Sequence, residues 1–252
     1  MIFLGTAQSK VNPQNWYGWS GNLAGTIPDI LLSAETLKPK LRKTYILKDE
    51  ETTVEGYIQL FSEVSKIVEP GELIVWWDSG HGCNGLQTSQ LEDNFQADQG
   101  IAAYNGIISD TQIAKLIGMF KQGKLVYACD RCHSGSMYRE IKKTSAKALP
   151  KPIQAQLTAY DYQQRDSLFP QDTTLKIPLK YFGACQVNQT ADDLGYNGRF
   201  TYEFWSCYKK NRNLPYISLY NKMLSKFPSN QTPKYVNASS DKIFNTEKAF
   251  NI

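Results

Sequence analysis

The chain reads as an α/β protein, a three-layer sandwich with a mostly parallel sheet of roughly six strands and helices on both faces. Two observations predict it. Short, continuous apolar runs alternate with stretches of helical periodicity, the pattern of βα units. Two of the runs also stop abruptly at clusters of glycine and reactive polar residues. Leu73-Ile74-Val75-Trp76-Trp77-Asp78 leads into Ser79-Gly80-His81-Gly82, and Lys124-Leu125-Val126-Tyr127-Ala128 leads into Cys129-Asp130-Arg131-Cys132-His133-Ser134. Strands buried on both faces have this composition, and open α/β sheets place their sites at the carboxyl ends of such strands.

The elements follow in order. Residues 2–7 form a first strand, and a loop rich in Asn, Gly and Trp (12–22) leads to a helix near 28–42, with Ile30, Leu31, Ala34, Leu37 and Leu41 in helical register. Thr44–Leu47 is a second strand. A helix over Val54–Val68 gathers Ile58, Phe61, Val64 and Val68 on one face. The third strand (73–78) ends at His81; a long polar loop, roughly 83–106, then precedes a helix near 110–121. The fourth strand (125–129) ends at Cys132, and a helix is expected from Ser134. Residues 142–177 lose periodicity and carry Pro150, Pro152 and Pro170, so they read as a long connection. Lys180–Cys185 is a fifth strand, helices follow near 200–210 and 216–226, and a last strand falls near 233–237. One domain of 252 residues accommodates all of this, with a larger part (1–141) holding both clusters, the connection, and a smaller part (178–252).

Composition narrows the function classes. A net charge of +4 with no run of five or six basic residues gives no reason to expect nucleic acid as a partner. No stretch approaches the ~18 apolar residues of a membrane span. Five cysteines, an odd number gathered near the two clusters, and no secretory leader point to reduced thiols and a cytoplasmic location.

The only two histidines, His81 and His133, lie in the two clusters. A histidine at one strand end and a cysteine at the next make a base–nucleophile pair, since an imidazole can take the thiol proton. Gly80 and Gly82 let the backbone turn beside His81. The amides of Gly82 and Cys132 are candidates for an oxyanion hole. These parts describe acyl transfer to Cys132 with His81 as base. His133 reads as structural. Cys129-Asp130-Arg131-Cys132-His133 also fits a haem-attachment or redox C-x-x-C pattern, and Cys83, Cys129, Cys132 and His81 have zinc-ligand chemistry but no second paired motif.

Ser79-Gly80-His81-Gly82 together with Asp130-Arg131-Cys132-His133-Ser134-Gly135-Ser136 resembles the histidine and cysteine signatures of metacaspases, caspase-like cysteine peptidases of clan CD. Trp19 to Asp29 is similar to the family's early loop. Gly183 to Asp193, then Gly198-Arg199-Phe200-Thr201, and the late Gln231-Thr232-Pro233, resemble its small-subunit stretches, so the likeness runs in order along nearly the whole chain.

The resemblance implies cleavage of protein or peptide substrates after Arg or Lys, with Asp29, Ser79 and Asp130 forming the pocket for the basic side chain. Thr26 stands where the family has a cysteine, a change expected to matter little for charge selection. The resemblance further implies self-processing in the 142–177 connection, at Lys142, Lys143, Lys147, Lys151 or Arg165, and a monomer. It is a minimal form, with no amino-terminal prodomain expected before the strand at residue 2. Many metacaspases need calcium. Here Asp98 and Asp110 match part of that ligand set, but Arg139 and Ser109 replace aspartates, and a cation opposes calcium. No cofactor or metal is therefore expected to be required. A silent caspase-fold scaffold and a peptidase of acidic specificity are the alternatives.

Overall fold

The structure is a computed structural model that describes residues 1–86, 98–132, 166–186 and 189–251, without the side chains of 84–86 and 98. Six strands form the main sheet: β1 (Ile2–Ala7), β2 (Lys43–Lys48), β3 (Leu73–Gly80), β7 (Lys124–Arg131), β8 (Leu179–Gly183) and β9 (Lys234–Ala238). Their spatial order is β2-β1-β3-β7-β8-β9. All neighbours run parallel except β8 and β9, which pair antiparallel. The predicted three-layer α/β architecture is present.

Side chains alternate across a strand, so a run apolar at every position must be covered on both faces. On one face α2 (Val54–Ser65) and α3 (Asp110–Ile117) pack Tyr57, Phe61, Val64, Ile113 and Leu116 against Leu4, Ile74, Trp76 and Tyr127. On the other, α1 (Thr26–Leu37), α4 (Arg199–Lys210), α5 (Tyr216–Leu224) and the short α6 (Lys242–Thr246) close over Phe3, Val75, Trp77, Val126 and Phe182. The adjacent tryptophans of β3 thus serve opposite layers. Trp76 stacks on Tyr127 at 3.9 Å between ring centroids, while Trp77 meets Phe204 edge-on at 5.1 Å.

Caps fix where the helices begin. Thr53 accepts a hydrogen bond from the Gly56 amide at the start of α2, and Ser109 and Gln112 form a capping box on α3. Helix α1 has no cap from its own sequence. Asp193 instead anchors the turn that leads into it, accepting from the amides of Ala24 (2.9 Å) and Gly25 (3.1 Å).

One expectation needs correction. The stretch read as a long polar loop (83–106) contains most of a second, antiparallel sheet, β4 (Gly82–Leu86), β5 (Asp98–Ala103) and β6 (Gly106–Ser109). Its strands are short, β4 is nearly free of branched residues, and a register shift lies between Asn84 and Leu86, so no apolar run announces them. The described part of the 142–177 connection, 166–177, has no strand before β8 and packs onto the domain. Phe169 and Ile177 are buried in the core, and Asp166 pairs with Lys115 at 2.7 Å. The short α6, which no periodicity announces, is a single turn capped by Asp241. Residues 133–165, which include His133, the helix expected from Ser134, Arg139, and the processing candidates Lys142, Lys143, Lys147, Lys151 and Arg165, lie outside the described residues.

Candidate active site

Strands β3 and β7 are hydrogen-bonded neighbours in parallel register, with Ser79 opposite Asp130 and Gly80 opposite Arg131. The residues that follow, His81 and Cys132, therefore emerge side by side at the carboxyl edge of the sheet. Both are half-buried and line one cleft of about 630 Å³. Asp29, Ser79, Gly82 and Asp130 line the same cleft, so every residue singled out for the site is brought to one place.

The imidazole of His81 has a defined tautomer. Its Nε2 lies 3.0 Å from the Gly21 carbonyl oxygen. A carbonyl only accepts, so Nε2 carries the hydrogen and the neutral ring keeps its lone pair on Nδ1. Trp19 packs on the ring at 4.7 Å between centroids. The His81 main chain is held as well: its carbonyl accepts from the Ala102 amide (3.1 Å) and from Nη1 of Arg131 (2.7 Å). The Cys132 thiol lies 3.8 Å from the Ala191 carbonyl.

Below this pair sit two carboxylates. Asp29 is fully buried and accepts from Ser79 Oγ (2.7 Å), Asn197 Nδ2 (2.9 Å) and the Gly198 amide (2.9 Å). Asp130 is almost fully buried; one of its oxygens accepts from the Thr201 amide (3.0 Å) and hydroxyl (2.7 Å). Thr201 is itself held by the Trp77 indole at 2.9 Å. Burial, then the nearby Asp130 charge, push the Asp29 carboxyl well above the usual range. Burial likewise pushes Asp130 up to about 6, against the hydrogen bonds from Thr201 that favour its anion. The backbone is shaped to the second carboxylate: a Cβ at Gly198 would sit 2.2 Å from Asp130 Oδ2. Thr26 adds a buried hydroxyl that lines the cleft and has no hydrogen-bond partner among the described residues.

Such a cleft is suited to a cation. Two buried carboxylates that are costly to ionise together gain most from a guanidinium or ammonium between them. Among the described residues no three His, Cys, Asp or Glu side chains are placed to share a metal ion. Cys129 is buried among the β7 core residues, where burial raises its thiol pKa well above the ordinary value. Of the expected calcium set, Asp110 is buried at the start of α3 with its carboxylate on the Thr111 amide; the Asp98 side chain and Arg139 lie outside the described residues.

Several contributors had not been singled out. Trp19 and the Gly21 carbonyl hold the His81 ring, Asn197 and Gly198 hold Asp29, and Asp193 anchors the turn before the helix that carries Asp29. Gly21 and Gly198 act through backbone atoms, which leave no chemical signature in a sequence. Asp78 and Arg131 did leave one: a carboxylate and a guanidinium each follow an apolar strand run.

A scan of known protein families finds no match. Metacaspase-3 of Trypanosoma cruzi (strain CL Brener) is 29% identical over 140 residues, an alignment covering 49% of this chain and 38% of that protein. The match thus spans well under half the length of that relative. Among solved structures, a Geobacter sulfurreducens protein superposes with a TM-score of 0.83 at 23% identity, over 100% of this chain and 98% of that one. Caspase-1 from Spodoptera frugiperda superposes with a TM-score of 0.63 at 8% identity, over 100% of this chain and 91% of that one. The sheet, its covering helices and these superpositions make the fold of this chain a caspase-like α/β sandwich.

Proposed function

We propose that this chain is a cysteine endopeptidase that cleaves after Arg or Lys, with Cys132 as nucleophile and His81 as base. The observation that carries the reading is the convergence of His81 and Cys132, from adjacent strand ends, above a floor of two buried carboxylates. The partial likeness to a metacaspase supports the reaction class.

In this reading His81 Nδ1 takes the Cys132 proton while Nε2–H stays on the Gly21 carbonyl. The thiolate forms a C–S bond to the scissile carbonyl carbon, and the carbonyl π electrons move onto oxygen, where the amides of Gly82 and Cys132 receive them. Collapse of this intermediate breaks the C–N bond, and His81 returns its proton to the departing amine. Water, deprotonated by His81, then hydrolyses the thioester and restores the thiol. Asp29 and Asp130 take the basic side chain of the substrate, with Ser79 orienting Asp29. An acidic side chain would meet two carboxylates, and the guanidinium that lines the cleft, Arg199, is already paired with Asp192, which disfavours the acidic specificity.

Self-processing in the 142–177 connection, and activity without calcium, belong to the same proposal. Hydrolysis of matched fluorogenic peptides ending in Arg, Lys or Asp, by wild type and Cys132→Ala, tests it. Cleavage after Arg and Lys that Cys132→Ala abolishes is the expected result. Cleavage after Asp, or equal rates in both proteins, overturns it.

A further inference from the structure

Arg131 immediately precedes Cys132 and is fully buried, the largest charged side chain in the interior. Its guanidinium is shared among four groups. Nε and Nη2 fork onto the Asp78 carboxylate, with Nη2–Oδ1 at 2.7 Å. Nη2 also reaches Gln8 Oε1 and, at 3.2 Å, the Tyr57 hydroxyl. Nη1 donates to the His81 carbonyl at 2.7 Å. Asp78 is satisfied in turn by the hydroxyls of Thr6 (2.6 Å) and Tyr57 (2.9 Å), and Gln8 donates to Tyr57 at 2.8 Å. The cluster gathers β1, α2, β3 and β7 beneath the cleft.

A buried ion pair alone says little about purpose, since well-packed apolar residues of similar volume often replace one without loss of stability. Two features here go beyond a structural pair. One arm of the guanidinium leaves the ion pair and holds the main chain of the residue that carries the base. The backbone is also cut back to admit that arm: a Cβ on Gly80 would stand 2.6 Å from Nη1 and 2.5 Å from Gln8 Oε1. Only a planar fork can bind a carboxylate on two nitrogens and a carbonyl on the third; an ammonium is a point charge with no such reach.

We infer that Arg131 is a positioning residue, whose side chain fixes the His81 backbone relative to the adjacent Cys132 and so sets the base–nucleophile geometry. The inference rests on the reading of His81 and Cys132 as base and nucleophile. Arg131 touches neither substrate nor the reacting atoms. It acts by making the residue before the nucleophile the anchor of the residue that bears the base, so the two strand ends cannot shift independently.

The deciding variant is Arg131→Lys, which keeps a positive charge beside Asp78 but leaves the His81 carbonyl to Ala102 alone. A second, Asp78→Asn with Arg131→Gln, removes both charges together so that neither is left buried and unpaired. Folding is checked by melting temperature and near-ultraviolet circular dichroism. Two readouts separate positioning from bulk stability: kcat against KM on an Arg peptide, and the pH profile of Cys132 alkylation by iodoacetamide, with His81→Ala as reference. Misplacement of a catalytic group by about 1 Å can cost on the order of 10²-fold. Folded variants are expected to lose tenfold to 10²-fold in kcat with KM within about threefold, and their alkylation profile should move toward that of His81→Ala. Folded Arg131→Lys with wild-type kcat and a wild-type profile overturns the inference. A wild-type profile already identical to that of His81→Ala overturns the catalytic reading instead, so the two failures are distinguishable.

Discussion

Asp130→Asn separates what the cleft contributes to binding from what it costs in stability. Burial lifts the Asp130 carboxyl from 3.8 to about 6, and at ~1.4 kcal/mol per pKa unit its ionisation in the empty cleft costs about 3 kcal/mol. The sign follows from linkage. A carboxyl whose folded pKa is raised holds its proton in the native state after the unfolded chain has released it, so stability falls as pH rises from about 4 to about 6. Above that window the full cost is carried. Asparagine has no charge to bury and can still accept a hydrogen bond from Thr201, while its amide loses one of the two acceptor sites. A net gain of about 1–2 kcal/mol at pH 8 is expected, or ~2–8 °C in melting temperature for a chain of this size. The gain should vanish by pH 4. Activity should move the other way: removing one partner of a buried charge pair costs roughly 3–5 kcal/mol, so kcat/KM on an Arg peptide should fall about 10²- to 10³-fold. Thermal melts from pH 4 to 8, beside peptide kinetics, measure both. A variant destabilised equally at pH 4 and pH 8, or one that keeps its activity on Arg, would refute the reasoning.

Other consequences follow from the same geometry. Gly198→Ala places a methyl against the Asp130 carboxylate and should lower kcat/KM on Arg and Lys peptides by at least tenfold while the protein stays folded, which kinetics and a thermal melt check together. Thr26→Val removes a buried hydroxyl without a partner among the described residues; a stabilisation of about 1 kcal/mol is expected, which a thermal melt checks. Trp19→Ala frees one face of the His81 ring, and because aromatic pairs contribute ~0.5–1.5 kcal/mol, kcat should drop about 2- to 10-fold at constant pH. Added chelator should leave initial rates unchanged, and a calcium-dependent rate would show that a ligand set forms despite Arg139.

The parts of the fold that were legible in the sequence are those whose burial is complete. Strands β1, β3 and β7 are apolar on both faces and announce themselves, and α2 shows its buried stripe through Phe61 and Val64. What misled was the assumption that a strand ends where apolar residues do. Strands β3 and β7 each run two residues past the expected ends at 78 and 129, through Ser79-Gly80 and Asp130-Arg131. Those polar side chains are buried and satisfied from elsewhere in the fold, Ser79 by Asp29, Asp130 by Thr201 and Arg131 by Asp78, which no periodicity reveals. The small β4-β5-β6 sheet was hidden because short strands carry too few residues to establish an alternation. At the site, ordered motifs located His81, Cys132, Asp29, Ser79 and Asp130 in one cleft, whereas the Gly21 carbonyl and the reach of Arg131 to the His81 carbonyl exist only once the chain is folded.

The central claim, that Cys132 attacks a carbonyl delivered by a basic side chain lodged on Asp29 and Asp130, has a direct chemical test. Wild type, Cys132→Ala and His81→Ala would each be exposed to a peptidyl-arginyl and a peptidyl-aspartyl chloromethyl ketone, followed by intact mass and peptide mapping. The account predicts one adduct, on Cys132, from the arginyl reagent only, slowed in His81→Ala and absent in Cys132→Ala. Labelling by the aspartyl reagent at the same rate, or an adduct on another cysteine, would contradict it.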